Sequence, residues 1–240
     1  MKYSQKVRSM LDTLNRKIEG GAVVILSGGQ DSATCLGYAV SRFTKVAAIN
    51  FVYGQRHAVE ENYALKQANL YNVSLEVVDI SSMMELNESA LLTKDKDVSA
   101  FTDKGLPDSF VPNRNQMFIT IAHAYAQKLG YDYLVTGVCQ TDYSGYPDCR
   151  LEFVEAIQKA TNLGSGANIS ILTPLMYLTK EETFELADGM GILDSIIENT
   201  ITCYNGDETL HEWGRGCGEC PSCKLREKGY AEFRQAVGKG

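Results

Sequence analysis

The sequence has no long apolar run, no cluster of basic residues and no low-complexity tract. No stretch of its 240 residues approaches the roughly 18 apolar residues that suggest a membrane-spanning helix, so we expect no membrane segment. The first 21 residues lack an apolar core and a small-residue cleavage site, so we also expect no secretory signal. These absences favour a cytoplasmic protein.

Positive charge is also scarce. The chain has 23 Lys and Arg against 30 Asp and Glu, which gives a formal net charge of −7. A field of that sign does not attract polyanions, and no run of Lys or Arg is visible. The sequence therefore argues against direct nucleic-acid binding and favours a small-molecule ligand.

What the sequence does contain is an alternation of short apolar segments with amphipathic ones. The apolar segments predict strands at 22–26, 45–53, 74–80, 131–138 and 168–175. The segments between them predict helices at 32–41, 57–72, 116–130, 151–164 and 179–191, with Thr179 as the N-cap of the last. This alternation predicts an α/β fold, a parallel sheet with helices on both faces, whose ligands bind at the carboxyl ends of the strands.

Three regions are predicted along the chain. Residues 1–20 form an N-terminal helical extension, because apolar residues from Tyr3 to Ile18 recur at helical spacing. Residues 21–200 form the α/β domain, and residues 201–240 form a small cysteine-rich region. Within the α/β domain, the polar stretch 81–112 reads as a long functional or mobile loop.

A glycine-rich turn joins the first strand to the first helix of that domain. The string "VVILSGGQDSATCLGYAV" ends its strand at Leu26, and a loop follows that consists of Ser27, Gly28, Gly29, Gln30, Asp31 and Ser32. Glycines allow close approach of the backbone, and a helix N-terminus attracts anions, so the loop is expected to hold phosphate or pyrophosphate. It has no lysine and no G-x-G-x-x-G pattern, so neither a Walker A loop nor a dinucleotide fingerprint fits.

Four of the seven cysteines lie in the last 40 residues. Cys203 precedes the string "CGECPSC", which supplies Cys217, Cys220 and Cys223. Two overlapping C-x-x-C units and a fourth cysteine predict a tetrahedral, closed and therefore structural zinc site. An iron–sulfur cluster on three of them, His211 as a competing ligand, and free thiols are the alternatives.

These motifs together resemble the 7-cyano-7-deazaguanine synthase family of the PP-loop ATP pyrophosphatases. The resemblance runs from about residue 22 to about residue 230 and is carried by "SGGQDS", "FVYGQRHAVE", "VPNRNQMF", "TDYSGYPDCR", "TPLMYLTKEE" and "TCYNG" with the cysteine tail. It implies a Rossmann-type fold similar to the adenine nucleotide alpha hydrolases. Its V-P-G-R-N pattern is altered here, because Asn113 replaces the glycine; asparagine tolerates the left-handed backbone better than most residues.

The resemblance implies an ATP-dependent carbon–nitrogen ligase that acts in queuosine or other deazapurine biosynthesis. Such an enzyme converts 7-carboxy-7-deazaguanine and ammonia to the nitrile through an adenylated acid and an adenylated amide, and it releases AMP and pyrophosphate. The resemblance also implies that the enzyme uses Mg²⁺ and Zn²⁺ and forms a homodimer. The implied catalytic residues are Ser27, Asp31, Ser32 and Lys180, and ATP is held by the six loop residues and Arg114. The implied substrate-binding residues are Tyr53, Gln55, Arg56, His57, Asp142, Tyr143, Tyr146, Asp148 and Arg150.

Other residues and functions have more ordinary interpretations. His123 lies among apolar residues of a predicted helix and is read as a packing histidine, and Cys149 is read as a buried thiol, since the chemistry needs no thioester. The alternative functions are a PP-loop enzyme that thiolates tRNA, a relative that attaches the deazaguanine to another partner, and a non-catalytic zinc-ribbon binding protein.

Overall fold

The computed structural model describes residues 3–54, 59–84, 89, 91–92, 105–141 and 146–238. Its main sheet has five parallel strands in the order β3-β2-β1-β4-β5. The strands are β1 (Ile18–Ile25), β2 (Phe43–Val52), β3 (Ser74–Asp79), β4 (Tyr133–Val135) and β5 (Ser170–Leu172). All five strands were predicted. Two of them, β4 and β5, are shorter than their apolar segments, because the residues that follow turn away to form loops.

Helices cover both faces of this sheet. They are α1 (Gln5–Leu14), α2 (Gln30–Arg42), α3 (Val59–Leu70), α4 (Ser81–Met84), α5 (Arg114–Leu129), α6 (Leu151–Ser165), α7 (Lys180–Gly189), α8 (Leu193–Glu198) and α9 (Pro221–Ala236), and a 3₁₀ turn spans Pro147–Cys149. The predicted α/β architecture is confirmed for the described part of the chain.

Strand β1 lies at the centre of the sheet and divides the core. Ala22 and Val24 pack with residues of α2 and α7, whereas Val23 between them packs with residues of α5 and α6. All three side chains are fully buried, as expected for a parallel strand covered on both faces. The central strand therefore delivers its carboxyl end, and the loop that follows it, to a fixed point between two layers of helices.

Helix α1 is shorter than the predicted extension. The helical spacing was expected to continue to Ile18, but the helix ends at Leu14 and Ile18 begins strand β1, where it pairs with Phe43. The helix packs on α7: the Tyr3 hydroxyl donates to Asp188 at 2.8 Å, and the backbone N–H of Ser4 donates to Glu185 at 2.8 Å.

The last 40 residues also pack on the α/β domain. Helix α9 lies against α7, where Gly229 leaves room for the stem of Lys180, since a Cβ on this glycine would lie 2.6 Å from Lys180 Cγ. Phe184 of α7 stacks near Phe233 of α9. A short hairpin of β6 (Leu210–His211) and β7 (Gly214–Arg215) precedes α9. No helix in the described ranges is long and apolar enough to cross a membrane.

Candidate functional site

A cavity of about 330 Å³ opens at the carboxyl ends of β1, β2 and β4. The glycine-rich loop forms its floor, and residues from α5, from the start of α7 and from the cysteine-rich region form its walls. Carboxyl ends of parallel strands are where α/β proteins bind ligands, so this is the expected place for a site. The cavity brings together residues that are as far apart in sequence as Ser27 and Arg226.

The loop itself is held in a conformation that requires glycine. Gly28 has φ +90°, and a Cβ at this position would lie 2.2 Å from the carbonyl oxygen of Glu60. The carbonyl oxygen of Gly28 accepts a hydrogen bond from the backbone N–H of Ile201 at 3.1 Å. The loop is therefore enclosed between the first turn of α3 and the segment that leads to Cys203.

The two serines of the loop face each other. The Ser27 and Ser32 hydroxyl oxygens are 3.1 Å apart, and the Ser32 hydroxyl donates to the carbonyl oxygen of Gly29 at 3.0 Å. Helix α2 begins at Gln30 with no side-chain cap hydrogen bond, so its first N–H groups are available to an anion. Backbone donors and hydroxyl groups thus converge as a phosphate site requires.

Asp31 and Lys180 form an ion pair at the edge of the loop. The Lys180 ammonium lies 2.9 Å from each carboxylate oxygen of Asp31. The lysine is the first residue of α7, after the N-cap Thr179, whose side chain and that of Glu182 form a capping box. The structure brings these two residues together, although 149 positions separate them in the sequence.

Arg114 enters the cavity from the start of α5. The preceding Asn113 has φ +62°, so asparagine does take the left-handed conformation at the place of the family's glycine. Burial alone would lower the pKa of the Arg114 guanidinium. Electrostatic interactions with Tyr53, Tyr146 and Asp148 outweigh this effect, so the pKa lies above its usual value. Arg114 therefore remains a cation inside the cavity and can meet an anionic ligand.

Several buried polar atoms of the cavity wall have no hydrogen-bond partner within the described part of the chain. They are Nε2 and Oε1 of Gln30, Oδ1 of Asn50, Nε of Arg114 and Oγ1 of Thr202. Buried polar groups are nearly always paired in native proteins, because an unpaired one costs free energy. Their concentration around one cavity indicates that the cavity accommodates a polar ligand.

Only some of the predicted substrate-binding residues line this cavity. Tyr53 and Tyr146 line the cavity, and the Tyr146 and Ser109 hydroxyl oxygens are 2.7 Å apart. Asp148 and Arg150 instead line a more open neighbouring cavity of about 400 Å³. Five others lie outside the described residues: Gln55, Arg56, His57, Asp142 and Tyr143.

Of the two residues with more ordinary interpretations, His123 fits its interpretation, whereas Cys149 fits only in part, because it is half-buried and lines the cavity. His123 is buried, and its Nε2 lies 2.9 Å from Oδ1 of Asn162, so this ring serves packing between α5 and α6. Burial raises the pKa of the Cys149 thiol to about 12, with Asp148 adding to the effect. A thiol that remains protonated is a poor nucleophile.

The four cysteines of the tail form one cluster. The sulfur atoms of Cys203, Cys217, Cys220 and Cys223 all lie within 4.8 Å of one another. Four thiolates on one zinc ion place neighbouring sulfurs about 3.8 Å apart at Zn–S bonds of about 2.3 Å, so the cluster fits that ion. Hydrogen bonds with the Cys220 and Cys223 side chains hold the pKa of Cys203 well below its ordinary value.

His211 is not part of this cluster. Its Nε2 lies 2.9 Å from the carbonyl oxygen of Gly216, and its ring stacks on Trp213 at a centroid distance of 4.6 Å. The backbone N–H groups of Glu219 and Cys220 each lie 3.4 Å from the Cys217 sulfur, where they can stabilise a thiolate. The donor set is therefore the four cysteines.

Several residues of the cavity wall were not predicted from the sequence: Asn50, Glu60, Thr202, Tyr204 and Arg226. Asn50 is a polar residue inside an apolar strand, which is a signal that could have identified it. Arg226 carries no such signal: it lies in a charged stretch of α9 and is nevertheless only 1% exposed, donating to carbonyl oxygens of Ile196 and Trp213.

Comparison with known proteins identifies the family of the chain. Residues 21–234 match the family model described as QueC, queuosine biosynthesis protein QueC. The chain is 47% identical over 216 residues to the 7-cyano-7-deazaguanine synthase of Helicobacter pylori strain P12. The alignment covers 88% of this chain and 95% of that protein. The chain is 46% identical over 220 residues to the same enzyme of Wolinella succinogenes, covering 90% and 94%.

Solved structures support the fold. A 4-thiouridine synthetase in complex with RNA and ATP aligns with a TM-score of 0.51 at 17% identity, covering 92% of this chain and 53% of that one. At this identity the likeness concerns the fold alone. The relatives at 46–47% identity carry the synthase name. This name favours an enzyme over a non-catalytic zinc-ribbon binding protein. It also favours a deazaguanine synthase over an enzyme that thiolates tRNA. The family predicted from the sequence is confirmed: the chain belongs to the QueC family of queuosine biosynthesis proteins.

Proposed function

We propose that this protein is an ATP-dependent ligase that converts 7-carboxy-7-deazaguanine and ammonia to 7-cyano-7-deazaguanine. The single observation that carries the proposal is the cavity in which the S-G-G-Q-D-S loop, the half-buried Arg114 and unpaired polar side chains converge. The names of its relatives supply the product. Dimer formation and a cytoplasmic location remain part of this proposal.

The loop supports binding of the phosphate end of ATP. Ser27, Ser32 and the free N–H groups of α2 supply donors without a lysine in the loop. The Asp31–Lys180 pair lies beside them, and we assign the lysine to phosphate contact and the aspartate to the magnesium that accompanies the triphosphate. When bound, that ion would neutralise phosphate charge and favour attack at the α-phosphorus.

The reaction follows from leaving-group chemistry. A carboxylate does not react with ammonia, because oxide is a poor leaving group, whereas an acyl adenylate releases AMP. The first adenylation and attack by ammonia give the amide. A second adenylation, on the amide oxygen, permits elimination of AMP and two N–H protons to give the nitrile. One adenylating site therefore acts twice, and Arg114 and the loop donors stabilise the negative charge that develops.

The substrate is assigned to the side of the cavity near Arg114. Tyr53 and Phe118 offer aromatic faces there, and their ring centroids are 5.5 Å apart. Aromatic rings suit a flat heterocycle, and Arg114 can pair with its carboxylate. The predicted roles of Gln55, Arg56, His57, Asp142 and Tyr143, and of Asp148 and Arg150 at the neighbouring cavity, remain predictions.

The proposed test follows products of purified, zinc-replete protein with ATP, magnesium, ammonium and the carboxylic acid by chromatography and mass spectrometry. We expect nitrile together with AMP. AMP without nitrile would show that the substrate is a different one, and folded protein without ATP turnover would contradict the enzymatic assignment.

A pair of matched variants sharpens this test. Ser32→Ala should lower turnover by about 100-fold or more, because a donor to the developing phosphate charge is lost. Ser41→Ala is the control, because Ser41 also lies on α2 and donates to the carbonyl oxygen of Gly37 at 2.9 Å, but it does not line the cavity. Equal losses in both variants would count against a phosphate role for the loop.

A further inference from the structure

Glu60 is an acidic side chain that lies directly behind the phosphate loop. It belongs to the first turn of α3 and lines the cavity, where it is half-buried. Its backbone is packed on the loop, since a Cβ on Gly28 would lie 2.2 Å from the Glu60 carbonyl oxygen and 2.8 Å from the Ala64 nitrogen. The start of α3 is therefore fixed relative to the glycine-rich loop.

The other acidic group of the cavity is already engaged. Asp31 is paired with Lys180 at 2.9 Å, whereas the Glu60 carboxylate has no hydrogen bond from any residue that the structure describes. Among the residues that the structure describes, the charged and titratable groups that face Glu60 are Tyr53, Arg114 and Cys203. Within the described ranges, Glu60 thus offers the cavity an acceptor that is not engaged by a hydrogen bond.

The proposed reaction needs such an acceptor. At neutral pH ammonia is mostly ammonium, which has no lone pair for attack on a carbonyl carbon. An enzyme that takes up the abundant ammonium form must bind the cation next to the acyl group and remove a proton from it there. A carboxylate meets both needs, because it attracts the cation and can accept its proton.

We propose, on the basis of the function assigned above, that Glu60 binds the incoming ammonium ion and accepts the proton that frees ammonia for attack. The N–H bond of ammonium breaks, and its proton moves to Glu60. The nitrogen lone pair then forms the C–N bond at the acyl carbon, the C–O bond to AMP breaks, and a second N–H proton leaves to solvent to give the amide. No oxidant or reductant takes part.

The local environment is suited to this exchange. Burial raises the pKa of Glu60 to about 7, and Arg114 only partly offsets that effect. A base whose pKa is near the working pH both accepts and returns a proton readily. The alternative is that Glu60 only complements the positive N-terminal end of α3.

Glu61 supplies a matched control for that alternative. It lies in the same first turn and has the same charge, but it does not line the cavity. Glu60→Gln and Glu61→Gln are therefore compared in three assays: ATP–pyrophosphate exchange that depends on the carboxylic acid, without ammonium; product formation with ammonium; and hydroxamate formation with hydroxylamine, a nucleophile that is largely unprotonated at neutral pH.

We expect Glu60→Gln to keep pyrophosphate exchange within about threefold while kcat/KM for ammonium falls about 100-fold or more, the usual contribution of a general base. The rate with hydroxylamine should stay within about tenfold of wild type. Glu61→Gln should match wild type in all three assays.

Three results would overturn the proposal. Loss of exchange in Glu60→Gln would assign this residue to ATP binding or to folding, and an unchanged ammonium rate would show that it accepts no proton. Equal losses with ammonium and hydroxylamine would make its role independent of deprotonation. If wild-type protein shows no acid-dependent exchange, the proposed function fails first, and this assignment fails with it.

Discussion

At the scale of single residues, Gly28 carries the strictest requirement. Its φ is +90°, and a Cβ at this position would lie 2.2 Å from the Glu60 carbonyl oxygen, which leaves no room for a side chain. Gly28→Ala should lower pyrophosphate exchange by about 100-fold or more, since a displacement of about 1 Å in a site has that effect.

Gly166→Ala is the control for this substitution. Gly166 also has positive φ, +69°, but nothing lies within 4 Å of a Cβ at that position. Gly166→Ala should lower the free energy of unfolding by about 1 kcal/mol and leave pyrophosphate exchange unchanged. Wild-type exchange in Gly28→Ala would show that the loop does not bind the phosphates in this conformation.

The raised pKa of Glu60 predicts a pH effect on stability that is independent of catalysis. The ordinary pKa is 4.5 and the folded value is about 7, so the folded protein holds the proton more tightly than the unfolded chain does. Wild type should therefore lose stability relative to Glu60→Gln as the pH rises from about 4.5 to about 7. Urea unfolding of both proteins across that range measures the difference, and a constant difference would contradict the pKa assignment.

At the scale of elements, helix α7 presents Lys180 and depends on its N-cap. The Thr179 hydroxyl accepts from the backbone N–H of Glu182 at 3.2 Å, and the Glu182 carboxylate accepts from the Thr179 N–H at 3.0 Å. Thr179→Ala should lower the free energy of unfolding by about 1 kcal/mol, measured in urea. Thr179→Ser should keep most of the stability that the N-cap contributes, because serine also caps helices. Equal stability of all three proteins would contradict the capping role.

The four-cysteine cluster and the glycine-rich loop are joined by one short segment. The backbone N–H of Ile201 donates to the carbonyl oxygen of Gly28, and Thr202 and Cys203 line the cavity. Removal of the metal by a chelator should therefore loosen the tail and also lower affinity for a fluorescent ATP analogue by at least about tenfold, because metal binding and folding are coupled. Zinc should restore the affinity, and unchanged ATP binding in metal-free protein would refute the coupling.

At the scale of the whole molecule, local signals predicted the sheet and the loop but not the walls of the cavity. Apolar runs predicted all five strands, and the S-G-G-x-D-S string predicted the glycine-rich loop between β1 and α2, because each depends on neighbouring residues. Helix α9 was not predicted, since its polar, charged sequence hides a buried face that only contact with α7 creates. Arg226 and Thr202 reach the cavity through such long-range packing, which sequence spacing does not encode.

The central claim is that one site adenylates the substrate twice, and isotope transfer tests it most directly. Carboxylic acid labelled with ¹⁸O in both carboxyl oxygens would be turned over with ATP and ammonium, and the nucleotides would be analysed by mass spectrometry. Double adenylation predicts two AMP molecules per nitrile, each carrying one ¹⁸O atom, because each carboxyl oxygen leaves as part of AMP. Label in inorganic phosphate, with ADP as the nucleotide product, would rule out adenylation.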